Sequence, residues 1–130
     1  TWHTIQWFAD RYDQETAVLD AFFTFAASYD HLIHFNGNNF DLPFVEQKCS
    51  QLQLPHTFGH FSGVDLYKRI SPYKFFLKLP NCKQKTIESF LSTDREDTYS
   101  GGELVDIYHD YVLTHNEEKE HFLLQILPTV

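Results

Sequence analysis

Cysteine is scarce in this chain of 130 residues: Cys49 and Cys82 are the only two, they lie far apart, and they form no CxxC pair. That pattern demands neither a disulfide nor a zinc site, so a reducing, cytoplasmic setting is expected. No apolar run approaches the roughly 18 residues of a membrane span, and no cleavable signal is read at the start of the sequence. Basic residues are few as well, ten against eighteen acidic ones, which gives a net charge of −8 with histidine neutral. A chain this acidic has no global field drawing it onto phosphates. Contact with nucleic acid would need a local basic strip, or metal ions that invert the local charge. Repeats, linkers and low-complexity tracts are missing, and so are a Gly-rich phosphate loop, a Ser-His-Asp triad and a reactive-cysteine signature.

Apolar mass, by contrast, is plentiful. Hydrophobic residues make up 42% and aromatics 17%, with thirteen Phe and seven Tyr. This supports a packed core, excludes global disorder, and fits one domain over residues 1–130. Alternation over Thr1 to Phe8 predicts a strand near a sheet edge. Val18, Leu19, Phe22, Phe25, Ala26 and Tyr29 recur at helical spacing and predict an amphipathic helix over Glu15 to Tyr29. His31 to Phe35 is a short apolar run ended by the turn cluster Asn36-Gly37-Asn38-Asn39, which predicts a buried strand. A helix should follow from Leu42 to Leu52, with Pro43 tolerated in its first turn.

Phe61 to Leu66 predicts a second strand, and Tyr67 to Leu79 a helix broken at Pro72. A short helix over Thr86 to Leu91 and a charged loop over Ser92 to Ser100 come next. Ser100-Gly101-Gly102-Glu103 has the form of a capping box opening a helix with Leu104, Val105, Tyr108, Tyr111 and Val112 on one stripe. Asn116 is placed to cap a last helix running up to Pro128. Strands separated by helices indicate an α/β domain with helices packed over a sheet.

Chemistry concentrates in His34-Phe35-Asn36-Gly37-Asn38-Asn39-Phe40-Asp41-Leu42-Pro43-Phe44. A strand runs into a tight polar turn, and one carboxylate, Asp41, sits where the next helix begins. Ligand sites in open α/β sheets collect at such strand ends. A purely structural reading is available too: Asp41 caps the helix, Asn36 and Gly37 make the turn, and Phe40 fills the core.

This segment resembles the second motif of the DEDD-type 3′–5′ exonucleases of the ribonuclease H-like superfamily: an Asn, a short spacer, then Phe-Asp after a hydrophobic strand, here Asn36 and Phe40-Asp41. The order of Gln6-Trp7-Phe8, Val64-Asp65-Leu66-Tyr67, Lys85-Thr86-Ile87-Glu88-Ser89-Phe90-Leu91, Arg95-Glu96-Asp97 and Ser100-Gly101-Gly102-Glu103-Leu104-Val105, followed by Tyr108 and Tyr111, is similar to the bacterial YprB-like exonuclease branch over nearly the whole chain. The resemblance implies a ribonuclease H-like mixed sheet flanked by helices. It also implies metal-dependent phosphodiester hydrolysis at single-stranded DNA or RNA ends, with two cations, Mg²⁺ or Mn²⁺, about 3.5–4 Å apart. By motif match, Asp41 would hold a metal directly or through its water. Asn36 would orient the turn or contact the terminal nucleotide, and Phe40 would support the site from below by packing.

Two motifs of that family have no counterpart. Nothing before Gln6-Trp7-Phe8 supplies an Asp-x-Glu, since Asp10 and Asp13 follow that strand, and Lys119 occupies the Asp position of a His/Tyr-x₃-Asp motif starting at His115. The chain then reads either as part of an exonuclease lacking the first strands and last motif helix, or as a catalytically inactive nucleic-acid-binding or interaction domain of the same fold. In the first case a longer chain or a second chain would pair the open side of the His31–Phe35 strand.

The remaining candidates carry structural alternatives. His31 and His34 fall on opposite faces of a strand and cannot share a ligand. His56 and His60 sit in a loop punctuated by Pro55 and Gly59, and Asp106, His109 and Asp110 on the solvated side of a helix. Asp65 ends a strand, where it serves either structure or the same crevice. Lys68, Arg69, Lys74, Lys78, Lys83 and Lys85, interleaved with Tyr67, Tyr73, Phe75 and Phe76, read equally as a single-strand path or as a helical surface over buried aromatics. Arg95 would pair a phosphate or bridge Glu96, Asp97 or Glu103.

Overall fold

The computed structural model describes residues 3–93 and 99–126. In chain order it contains α1 (Glu15–Ala26), β1 (His31–His34), α2 (Asp41–Gln51), β2 (Ser62–Asp65), α3 (Leu66–Ile70), α4 (Gln84–Phe90), α5 (Gly101–Thr114) and α6 (Glu117–Ile126), with single 3-10 turns at Tyr12–Gln14, Gly37–Asn39 and Ser71–Tyr73. This is the α/β class expected. No helix among the described residues is long and apolar enough to cross a membrane. The chain divides into two compact units, Leu19–Asp94 and Thr1–Val18 with Arg95–Val130, and the division falls inside α1.

In the Leu19–Asp94 unit, β1 and β2 form a parallel pair in the register His31↔Ser62, Leu32↔Gly63, Ile33↔Val64, His34↔Asp65. Parallel strands need a crossover, and α2 supplies it. The core here gathers Phe23, Ala26, Cys49, Leu79 and Ile87. The Phe23 ring stacks on His56 at 4.7 Å and meets Phe58 at 5.1 Å. Phe25 and Tyr29 of the expected helical stripe are exposed; α1 stops at Ala26, short of Tyr29, and the chain turns toward β1. Nor is β1 the buried strand expected: Leu32 and His34 are half-buried, whereas His31 and Ile33 are exposed. Burial on both faces needs a layer on each side, and within the described residues the sheet has only two strands. Pro72 sits in the 3-10 turn that interrupts the Tyr67–Leu79 segment, as its missing amide predicts.

In the other unit, α5 and α6 pack together around Tyr111 and Leu123. Residues 3–8 form no strand, contrary to the Thr1–Phe8 expectation, and Thr1 and Trp2 lie outside the described residues. Alternation alone cannot make a strand without a ladder partner. Here the segment is held by other means: Gln6 Nε2 donates to the Leu124 carbonyl at 3.2 Å, and the Phe8 ring lies 5.8 and 5.5 Å from Tyr108 and Tyr111. The capping box forms in full. Glu103 N donates to Ser100 Oγ at 3.3 Å, and Ser100 N to Glu103 Oε2 at 2.6 Å. Asn116 Oδ1 accepts from the amides of Glu118 and Lys119, capping α6.

Candidate functional site

The parallel pair ends at His34 and Asp65, and the chain leaves β1 through a corner built by those two side chains. Asn36 adopts a left-handed backbone, φ 54°, which Asn tolerates better than most residues. Its amide donates to Asp65 Oδ1 at 2.8 Å, and the Tyr67 amide donates to the same oxygen at 3.0 Å, capping α3. One carboxylate therefore fastens both strand ends. Burial pushes the Asp65 carboxyl up, but the amides of Asn36 and Tyr67, the His34 imidazole and the Lys68 amide outweigh it and hold it below its ordinary value. Its second oxygen, Oδ2, is buried without a hydrogen-bond partner among the described residues.

His34 Nδ1 lies 3.9 Å from Asp65 Oδ1 and accepts the Gly37 amide at 3.0 Å. With Nδ1 accepting this amide, the ring N–H lies at Nε2. Gly37 is needed for this approach, because a Cβ there would come within 2.9 Å of Nδ1. Asn36 Oδ1 accepts from Asn39 Nδ2 at 2.8 Å, so the Asn36 side chain is engaged in the turn.

Two expectations at this corner are corrected. Phe40 neither fills the core nor packs beneath the site: it is 66% exposed, because its backbone (φ −132°, ψ −75°) joins the 3-10 turn to α2 with the ring outward. Asp41 does not cap α2. The N-cap position is Phe40, with no side-chain cap bond, and Asp41 is the first helical residue. Its exposed carboxylate makes no hydrogen bond or ion pair among the described residues. Its charge lies where the helix dipole favours an anion.

Elsewhere in the same unit, Tyr73 is exposed, and Phe75 and Phe76 are 88% and 84% exposed. The alternative of buried aromatics in the Lys68–Lys85 strip is thereby corrected: the segment is broken into short turns around Pro72 and buries only Leu79. Lys74 Nζ sits 5.7 Å from the centroid of the Phe75 ring, and Lys78 and Lys85 line a shallow hollow with Thr86 and Ser89. Arg95 lies outside the described residues.

The histidines fall as spacing requires or find structural partners. His31 is exposed on the face of β1 opposite His34, and His56 Nε2 lies 2.6 Å from Asp20 Oδ1. His109 bonds the Tyr12 hydroxyl and Asp110 pairs with Lys119. Sequence reasoning missed the Asp20–His56 pair and the role of Glu46, whose Oε1 accepts the Phe58 amide at 2.8 Å. Neither left a signal in local sequence. Asp65 did leave one, an Asp directly before a helical run, the ordinary N-cap pattern.

Among the described residues no three His, Cys, Asp or Glu side chains come together to hold a metal. Asp41 is an oxygen donor of the right kind for Mg²⁺ or Mn²⁺, but one exposed carboxylate is too few for two cations. This donor set, among the described residues, does not fit a two-metal centre.

Comparison with curated proteins and with solved structures gives no match. Over residues 1–127 the chain matches the family described as the RNase H superfamily. That span takes in both strands, all six helices up to their last described residue and the Asn36–Asp41 corner, and six helices with a small parallel sheet are consistent with that fold. The chain belongs to the RNase H superfamily.

Proposed function

We propose that this chain is one domain of the 3′–5′ exonuclease type, of the YprB-like branch, that binds single-stranded DNA or RNA ends at the Asn36–Asp41 corner. Membership of the RNase H superfamily supports a nuclease or nucleic-acid-related function. The observation that carries the finer reading is Asp41: an exposed, unengaged carboxylate at the first residue of α2, after the turn that follows the parallel strand β1. Asn36 shapes the turn that presents it, and the exposed Phe40 ring beside it is available to a nucleotide. Lys74 and Lys78, with Phe75 and Phe76, offer charge and stacking surface to a strand. Arg95 keeps its proposed role as a phosphate partner. The two free cysteines support the cytoplasmic setting.

In this reading Asp41 is one member of a Mg²⁺- or Mn²⁺-dependent carboxylate set whose other members are not among the described residues. A second reading, a non-catalytic nucleic-acid-binding domain, is favoured by the absence of convergent metal-capable side chains among those residues. Incubating the full-length protein with Mg²⁺ or Mn²⁺ and a 5′-labelled single strand separates the two. The first reading expects stepwise shortening from the 3′ end, lost by orders of magnitude in Asp41→Asn with folding intact. Binding without shortening, equal in wild type and Asp41→Asn, supports the second.

A further inference from the structure

Beside the corner, a cavity of about 420 Å³ opens between β1, α2 and the loop before β2. Its volume falls within the range of small-ligand pockets, roughly 300–1,000 Å³. Its lining combines Leu32 and the rings of Phe58 and Phe61, whose centroids are 6.0 Å apart, with three polar side chains, His34, Asn38 and Glu46. The His34 side chain is nine-tenths buried, yet its Nε2 carries no hydrogen bond among the described residues. A Cβ on Gly63, which also lines the cavity, would come 3.5 Å from that nitrogen. With Nδ1 committed to the Gly37 amide, Nε2 presents a fixed N–H donor to the cavity. Glu46 spends Oε1 on the Phe58 amide, and its other oxygen, an acceptor, carries no bond among the described residues.

We propose that this cavity is a nucleobase pocket selecting bases whose Watson–Crick edge carries an amino group beside an unprotonated ring nitrogen, adenine or cytosine, over thymine and uracil. The proposal rests on the reading of the chain as a single-strand-binding domain and names the part of the strand that the site reads. A carboxylate in the lining repels phosphate, so the occupant is the neutral base. Adenine and cytosine present an amine donor next to a ring-nitrogen acceptor. Those groups complement the Glu46 oxygen and the His34 N–H respectively, whereas thymine and uracil present a carbonyl and an N–H in the reverse order. The phenylalanine rings supply the apolar and stacking surface that any base uses. Leu42 and Pro43, which follow Asp41 directly, also line the cavity, so a base held there lies beside the proposed strand-end site.

Anisotropy titrations of labelled oligo-dA, oligo-dC and oligo-dT of equal length test the pocket on the full chain, together with NMR titrations of adenosine, cytidine and thymidine. The expected result is a preference for the amino-bearing bases of about tenfold in both formats. Gly63→Val places a β-compatible side chain in front of Nε2 without removing a polar partner. Glu46→Gln keeps an acceptor for the Phe58 amide while turning the free oxygen into a donor. Both variants should bring oligo-dA and oligo-dC down to the affinity of oligo-dT. Equal affinity for all three strands in the wild type, or a preference untouched by both variants, overturns the pocket and leaves strand binding standing. Discriminating nucleoside binding without strand binding supports the pocket and overturns the functional reading. Failure of nucleosides and strands alike overturns both.

Discussion

The two compact units divide the charge of this chain unequally. Residues 1–18 and 95–130 carry eleven acidic against three basic groups, the whole net charge of −8, whereas residues 19–94 carry seven of each and are neutral. Six of those seven basic groups fall between Lys68 and Lys85. The acidity of the sequence is therefore a property of one unit, and the unit holding the Asn36–Asp41 corner has no net charge opposing a polyanion. The units also use aspartate differently. Asp65 accepts two backbone amides and fastens strand ends, whereas Asp10 accepts the Tyr111 hydroxyl at 2.9 Å while its own amide donates to Gln14 Oε1.

That difference predicts the largest effect. Asp65→Ala leaves the amides of Asn36 and Tyr67 without their charged acceptor, and should cost about 3–5 kcal/mol in stability at neutral pH. Asp10→Ala removes a single tyrosine partner and should cost about 1–2 kcal/mol. Denaturant unfolding of both variants measures the gap, and equal losses would erase the distinction between the two aspartates. The contribution of Asp65 should also be acid-labile. Its folded pKa is lowered, so the stability it supplies is present above the ordinary carboxylate range and disappears as pH falls through and below it.

The tyrosine anchor titrates at the opposite end of the scale. Burial, the hydrogen bond to Asp10 and the Asp10 charge, with smaller contributions from Glu120 and Tyr108, push the Tyr111 hydroxyl up to about 12. A raised folded pKa means its contribution is complete below the unfolded value near 10 and is lost as pH rises from about 10 to 12. The loss should be on the order of 2–3 kcal/mol across that window. Tyr111→Phe should be less stable at pH 8 and should shed this part of the alkaline slope. Unfolding curves of wild type and Tyr111→Phe that stay parallel from pH 9 to 12 would contradict the assignment.

Much of the fold was legible because it depends on local chemistry. The capping box at Ser100, the break at Pro72 and the turn at Asn36-Gly37 follow from side chains acting on their own backbone, and these features, like the α2 start beside Asp41, sit within a residue or two of where the sequence places them. The failures share one cause. Residues 3–8 alternate like a strand, and His31 to His34 read like a buried one, but pairing and burial are set by neighbours that local pattern does not contain. The site follows the same division. Asn36 and Asp41 came from a motif, whereas the cavity lined by His34 and Glu46 joins β1, α2 and the Phe58 loop, which only the tertiary structure brings together.

The neutral unit should respond to charge removal more sharply than the acidic one would. Replacing Lys74 and Lys78 with Ala should weaken single-strand binding about tenfold at low salt and flatten the slope of log affinity against log salt by roughly 0.7 for each phosphate no longer neutralised. Replacing Lys119, which is paired with Asp110, should leave both quantities unchanged. An unaltered slope in the double variant would make the strip ordinary solvated surface, and the exposure of Phe75 and Phe76 would then need another explanation.

The smallest expected effect concerns two helix starts. In the acidic unit α5 begins with a complete capping box, and in the neutral unit α2 begins at Asp41, after the N-cap Phe40, without any side-chain cap. Ser100→Ala removes an acceptor from the Glu103 amide and should lower stability by about 1 kcal/mol, with Ser100→Gly costing a few tenths. Asp41→Asn removes only a favourable charge at the start of α2, so its cost should stay below that of Ser100→Ala, at about 0.3–1 kcal/mol, and shrink with added salt. These two costs bear on function because a carboxylate kept for structure should cost stability when removed, as is expected of Asp65. A loss for Asp41→Asn clearly larger than for Ser100→Ala would make Asp41 a structural residue and remove the main support for a site at this corner. A small, salt-sensitive loss leaves its exposed carboxylate without a structural task and available to a ligand.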